Sequence, residues 1–169
     1  MKTSIPALNA LSQAEFVSLL GGIYEHSPWM AERTWLARPF TDQAALLIAF
    51  RQTLAAASQT EQLALIRAHP DLAGKAALRG ELTFESSQEQ ASAGLDQCTA
   101  KELARFTALN TTYKDKFAFP FIMAVKGATR AQILEGFERR IQHSPAEEFA
   151  NALEQINRIA SFRLSDLVE

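Results

Sequence analysis

Residues 61–75 have the sequence EQLALIRAHPDLAGK, in which a helical pattern stops at a histidine that is followed directly by a proline. The ring of Pro70 disfavours helical backbone at the preceding residue, so we expect this helix to end near Ala68. His69 would then follow a helix C-terminus, where backbone carbonyls carry partial negative charge and favour an imidazolium that can donate a proton. The same residues also fit an ordinary helix stop, with Gly74 permitting a bend.

Helical patterns of the same kind occupy most of the chain on both sides of this stretch. Residues that cap helix N-termini are followed by apolar residues at three- and four-residue steps. The predicted helices begin near Ser12, Pro28, Asp42, Ser58 or Thr60, Ser86 or Ser87, Thr99, Thr129 and Ser144. Residues 71–78 have a weaker helical pattern, and no alternating run is long enough for a sheet. We therefore predict an all-α bundle of about eight helices that forms a single domain over residues 1–169.

Residues 117–127, FAFPFIMAVKG, interrupt the helical pattern. The segment is apolar and aromatic, it is too short to span a membrane, and it contains Pro120 and ends at Gly127. We expect a lone strand or an irregular buried segment between two of the last helices.

Composition limits the classes of protein to which the chain can belong. With 47% hydrophobic residues and a net charge of −2, it is neither disordered nor strongly basic, so we expect no nucleic-acid partner. Cys98 is the only cysteine, which excludes an intrachain disulfide and favours a reducing compartment. The N-terminal residues lack the apolar core of a secretory signal, and no window of about 18 apolar residues predicts a membrane span. We expect a cytoplasmic protein that acts on a small molecule or binds a protein.

Polar residues are concentrated in residues 85–90, ESSQEQ, which we place at a helix N-terminus. Free backbone N–H groups and the helix dipole favour a bound carboxylate or carbonyl oxygen there. Ser86 and Glu89 also have capping-box spacing, so Glu89 could equally serve only to close the start of the helix. The sequence leaves these two roles of Glu89 open.

Other chemistry finds little support in the sequence. His26, His69 and His143 are scattered without a metal-binding spacing, and no glycine-rich phosphate loop is present, so we predict neither a metal nor a nucleotide cofactor. We assign no site role to the helical arginines, since most such side chains are solvated; they are Arg139, Arg140, Arg158 and Arg163.

Three motifs that occur in order identify a family resemblance. They are HPDLAGK at 69–75, GELTFESSQEQASAGL at 80–95 and FPFIMAVKG at 119–127. Residues 25–29, EHSPW, and the stretch INRIASFRL at 156–164 extend the match to about residues 16–167. In these motifs the chain resembles the 2-oxo-4-hydroxy-4-carboxy-5-ureidoimidazoline (OHCU) decarboxylase family.

This resemblance implies a helical, usually dimeric lyase without a cofactor, which converts OHCU from urate oxidation into (S)-allantoin and carbon dioxide. It implies that His69 is the proton donor, and Glu89 would accept a hydrogen bond from the substrate hydroxyl or orient His69. The substrate-binding positions would be Pro70, Ser86, Ser87, Gln88, Glu89 and Gln90, with the backbone of Phe121, Ile122, Met123, Ala124 and Val125. The terminal residues Leu167, Val168 and Glu169 are not the peroxisomal tripeptide of some relatives, which favours the cytoplasm.

The sequence leaves two alternatives to this function open. A noncatalytic helical module could use residues 117–125 to dock a partner peptide or to form a dimer contact. An enzyme that acts on another ureido or hydroxy acid could have the same acid–base residues.

Overall fold

The computed structural model describes the whole chain, residues 1–169, and its regular elements are all helices. The prediction of an all-α protein is confirmed, although there are ten α-helices rather than about eight. They are α1 (Ile5–Ala10), α2 (Gln13–Leu20), α3 (Trp29–Thr34), α4 (Gln43–Ala56), α5 (Gln59–Arg67), α6 (Lys75–Leu78), α7 (Phe84–Ser92), α8 (Ala100–Phe117), α9 (Arg130–Arg140) and α10 (Pro145–Leu167). Short 3-10 helices cover Trp35–Ala37 and Leu95–Gln97.

The two helices beyond the predicted eight, α1 and α6, are six and four residues long. Segments of that length do not complete two turns, so they show at most a weak helical period in the sequence. The weak helical pattern over residues 71–78 is correct only from Lys75 onwards. The differences therefore concern short elements and helix ends.

Side-chain caps start the main helices where the sequence predicted them. Capping boxes form at Ser12, Ser58, Thr99 and Thr129, and Asp42 caps α4. Helix α5 ends at Arg67 with Ala68 as its C-cap, which confirms the predicted stop before the His-Pro pair.

The helices form two compact units. The first comprises Met1–Ala68 together with Asn157–Glu169. Its core contains Phe16, whose ring packs against those of Phe40 and Phe50, with Tyr24 packed on Phe50. All four rings are buried.

The second unit, His69–Ile156, contains all the residues that the sequence assigned to the site. Its core is an aromatic cluster in which Tyr113 packs edge-on against Phe121 and Phe137, and Phe106 packs edge-on against Phe137. None of the helices combines the length and apolar character needed to cross a membrane.

The predicted irregular segment lies between α8 and α9. Helix α8 ends at Phe117, and Ala118 leaves it with a left-handed backbone (φ 62°). The residues from there to Thr129 contain neither helix nor strand. The alternative of a lone strand is therefore wrong, and the irregular buried segment is confirmed.

Candidate active site

His69 lies just after α5, at the start of the second unit. Only 8% of its surface is exposed, so the imidazole is held inside the protein rather than in open solvent. Pro70 follows it directly and prevents the helix from continuing. The chain thus places a titratable side chain at a fixed and largely water-excluded position.

The loop after His69, residues 69–74, is fixed by Gln90 of α7. The Gln90 Oε1 accepts a hydrogen bond from the backbone N–H of Ala73 at 3.0 Å, and its Nε2 donates to the carbonyl of Asp71 at 3.3 Å. Ala73 is buried and adopts a left-handed backbone (φ 49°). Both ends of the Gln90 amide therefore bind the loop, and they hold a turn that Ala73 would rarely adopt by itself.

Helix α8 supports the same loop from two neighbouring positions. Asn110 Nδ2 donates to the carbonyl of Leu72 at 2.9 Å, and Lys114 Nζ pairs with the Asp71 carboxylate at 2.6 Å. Asn110 is buried, and its Oδ1 has no hydrogen-bond partner. Together with Gln90, these contacts give the loop four hydrogen bonds or ion pairs from side chains.

Helix α7 begins earlier than the sequence indicated, and this earlier start excludes a capping role for Glu89. Thr83 is the N-cap, and its hydroxyl accepts from the Ser86 N–H at 3.2 Å, so the predicted start at Ser86 or Ser87 is wrong. Glu89 is the sixth residue of the helix and lies beyond the first turn, where capping-box residues are found. The interpretation of Glu89 as a capping residue is therefore wrong.

The five predicted site residues of α7 differ in their exposure to solvent. Ser86 and Gln90 are buried and Glu89 is half-buried, and their spacing of three and four residues places them on one side of the helix. Ser87 and Gln88 are exposed to solvent. The face that carries Gln90 is the one that contacts the His69 loop.

Residues 121–125 direct most of their side chains into the protein core. The ring of Phe121 stacks on that of Phe137 at 3.7 Å, and Ile122 and Val125 are also buried. Met123 and Ala124 are half-buried. Because the apolar side chains are taken up by the core, the backbone and these two residues remain for contact with a small molecule.

Side chains from α9 and α10 fix this segment. Arg140 Nη1 donates to the carbonyl of Ile122 at 2.5 Å, and Gln155 Oε1 accepts from the N–H of Ala124 at 3.0 Å. Arg140 also lies over the Phe121 ring at 4.4 Å. Arg140 is buried, so its interpretation as a solvated arginine is wrong, and Arg163 is buried as well.

A buried charge network holds Arg140. Its Nε is 2.8 Å from the carboxylate of Glu148, which is completely buried and also accepts from Tyr113 Oη at 2.5 Å. Burial opposes ionisation of Glu148, but hydrogen bonds from Asn151, Tyr113 and His143 and the charge of Arg140 outweigh it, so its pKa is lowered. Burial raises the pKa of Tyr113, and its hydrogen bond to Glu148 acts in the same direction. Arg140 is therefore held by an ionised carboxylate.

Helix α8 contacts both the His69 loop and the segment 121–125 through neighbouring residues on one of its faces. Asn110 and Lys114 contact the loop, while Tyr113, between them, packs edge-on against Phe121 at 5.3 Å. Asn110 was not among the predicted site residues, although a polar residue among the apolar positions Phe106, Leu109 and Tyr113 was a usable signal.

Metal and thiol chemistry gain no support from the side-chain positions. The chain has no group of three histidine, cysteine or acidic residues that could hold a metal ion. Burial raises the pKa of the half-buried Cys98 thiol, so the thiol remains protonated near neutral pH.

Comparisons of the sequence and of the fold with known proteins indicate one family. Residues 9–165 match the sequence model of a family described as OHCU decarboxylase. The 2-oxo-4-hydroxy-4-carboxy-5-ureidoimidazoline decarboxylase of Halalkalicoccus jeotgali is 46% identical over 98% of this chain and 92% of its own length. The enzyme of that name from Haloferax volcanii is 42% identical over 96% of this chain and 95% of its own. A crystal structure of (S)-allantoin synthase, 34% identical, superposes with a TM-score of 0.76 over 97% of this chain and 54% of that one. The chain therefore belongs to the OHCU decarboxylase family.

Proposed function

We propose that this chain catalyses the decarboxylation of OHCU to (S)-allantoin and carbon dioxide, with His69 as the proton donor. The observation that carries the proposal is the position of His69 in a chain of this family. Its side chain is buried directly after α5, at the head of a loop that Gln90, Asn110 and Lys114 fix. A general acid must be held in this way to deliver a proton to one face of a substrate.

The reaction needs few protein groups. The bond between the ring and the carboxylate breaks, carbon dioxide leaves, and the electron pair passes into the imidazoline ring. A proton from the His69 imidazolium then reaches the ring carbon that carries the ureido group. The substrate hydroxyl becomes a carbonyl, and its proton passes to the ring nitrogen that took up the electron pair. Delivery of the proton from one face makes the product a single enantiomer. The half-buried Glu89 accepts a hydrogen bond from the substrate hydroxyl or orients His69.

Substrate binding falls to the remaining positions that match the family motifs. Pro70 and the α7 positions Ser86, Ser87, Gln88 and Gln90 border the site, and the backbone of residues 121–125 holds the carbonyl and ureido groups. The buried Gln90 acts there through the loop that it fixes. The half-buried Met123 and Ala124 offer the most accessible side chains of the segment.

The test uses the slow, unaided decay of OHCU to racemic allantoin. OHCU is generated in situ, the wild-type protein is added, and optical activity is followed. Rapid appearance of one enantiomer supports the proposal. A racemic product formed at the background rate contradicts it and favours the noncatalytic binding module, whereas turnover of 5-hydroxyisourate instead of OHCU would indicate a related enzyme.

Three further properties belong to the same proposal: the whole chain is one family domain, a homodimer and cytoplasmic. The family match over residues 9–165 covers parts of both compact units and supports one domain. A single free cysteine is typical of proteins in reducing compartments. Light scattering after gel filtration tests the dimer, since it would give twice the mass of the chain.

A further inference from the structure

The segment 121–125 lacks the regular backbone hydrogen bonds that fix a helix or a strand. Its conformation must therefore be imposed from outside, because buried backbone polar groups need partners. Two side chains supply them: Arg140 of α9 at the carbonyl of Ile122, and Gln155 of α10 at the N–H of Ala124. Both contacts lie within the second unit.

These two contacts fix the two peptide planes on either side of Met123. The carbonyl of Ile122 shares a planar peptide with the N–H of Met123, and the N–H of Ala124 shares the next one with the carbonyl of Met123. In a trans peptide the C=O and N–H point in opposite directions, and the only cis peptide bond precedes Pro39. The N–H of Met123 therefore points away from Arg140, and its carbonyl points away from Gln155.

The side chains of Arg140 and Met123 are themselves held in place. Arg140 is held by the buried Glu148. Glycine at position 136 leaves room for the Met123 side chain, since a Cβ there would stand 3.3 Å from its Sδ. Met123 therefore has its two peptide planes and its side chain constrained from α9 and α10.

We infer that Arg140 and Gln155 are positioning residues, which aim the N–H and carbonyl of Met123 at the substrate. A donor and an acceptor on one residue match an amide-like group that offers both, such as the ureido group. This inference rests on the proposed function, in which the backbone of residues 121–125 binds OHCU. In this inference both side chains act through the backbone contacts that they make.

The test exploits Gln155, which is half-buried and contributes only an acceptor oxygen to the contact. In the Gln155→Leu variant we expect KM for OHCU to rise about tenfold while kcat stays within about twofold, because binding is impaired and His69 is untouched. Gln155→Glu keeps an acceptor oxygen and should restore KM to within about threefold of the wild type. Gln155→Ala removes the same acceptor and provides a second reading if the leucine variant does not fold.

The matched control is Gln62→Leu. Gln62 also makes one side-chain hydrogen bond to backbone, from its Nε2 to the carbonyl of Leu54 at 2.9 Å, but it lies in the first unit. Its loss should lower stability by a similar amount without a change in KM. A folded Gln155→Leu variant with wild-type KM, or one that loses kcat alone, would overturn the inference.

Amide hydrogen exchange separates this inference from the proposed function. The Ala124 amide should exchange faster in Gln155→Leu than in the wild type or in Gln155→Glu, whatever the activity of the protein. If the wild type does not turn over OHCU, the proposed function fails, and so does the identification of OHCU as the ligand of the Met123 backbone. The positioning of that backbone by Gln155 is still tested by the exchange of the Ala124 amide. If the Ala124 amide is equally protected in all three proteins, the positioning role itself is refuted.

Discussion

At the scale of single residues, Glu89 is the residue whose predicted role the structure changes most. Its spacing from Ser86 allowed a purely structural role, but Thr83 caps α7 and leaves Glu89 in the body of the helix. A half-buried carboxylate without a capping role, one residue before the loop-binding Gln90, is better placed for a role in the reaction.

We predict that Glu89→Gln lowers kcat by roughly 10²-fold or more, in the range typical of acid–base groups. The thermal midpoint should change little, because no capping interaction is removed. Steady-state kinetics on OHCU and a melting curve of the same preparation provide the check. Full activity combined with a lower midpoint would show that the residue is structural after all.

At the scale of elements, α7 and α8 together hold the loop that follows His69. The Gln90 amide holds the loop at Asp71 and Ala73, and Lys114 reaches the same loop from α8. The Gln90 contact with Ala73 is buried, whereas the Lys114 ion pair is partly exposed and screened by solvent. The two supports should therefore differ in strength.

We predict that Gln90→Leu destabilises the protein by about 1–3 kcal/mol, because it leaves the buried Ala73 N–H without a partner. Lys114→Met should cost less than about 1 kcal/mol. Urea unfolding measures both, and the activity per folded molecule should fall only in the Gln90 variant. Equal costs would mean that the loop is not fixed mainly through α7.

The elements also show what the sequence could and could not predict. The stop at His69-Pro70 and the capping boxes at Ser12 and Thr99 were recognisable because a cap or a proline acts on neighbouring residues. The contacts that shape the site join residues far apart in sequence: 38 residues for Asn110 with Leu72 and 31 for Gln155 with Ala124. No local pattern carries that information, so the geometry of the irregular segment could not be predicted.

At the scale of the molecule, the predicted site belongs to one of the two compact units. All the predicted site residues lie between His69 and Val125, inside the unit His69–Ile156. What the motifs did not include is the buried network of Glu148 with Arg140 and Tyr113, which ties α8, α9 and α10 together.

That network predicts a pH dependence of the stability of the protein. The pKa of Glu148 is lowered in the folded protein below its usual value of 4.5, so its ionised form stabilises the fold above that pH. The contribution is lost as the pH falls through the lowered pKa, where the carboxylate takes up a proton. The free energy of unfolding should fall less steeply with acidification in Glu148→Gln than in the wild type. Parallel curves for the two proteins would contradict this role.

The central claim is that His69 supplies the proton that makes allantoin a single enantiomer. The most direct measurement compares the optical activity formed from OHCU by the wild type, by His69→Asn and by His26→Asn. His26 is exposed and has a left-handed backbone (φ 47°) that asparagine tolerates, so its variant serves as the control. We predict rapid formation of (S)-allantoin by the wild type and by His26→Asn, and a loss on the order of 10²-fold or more in His69→Asn. Undiminished formation of (S)-allantoin by a folded His69→Asn variant would contradict the claim.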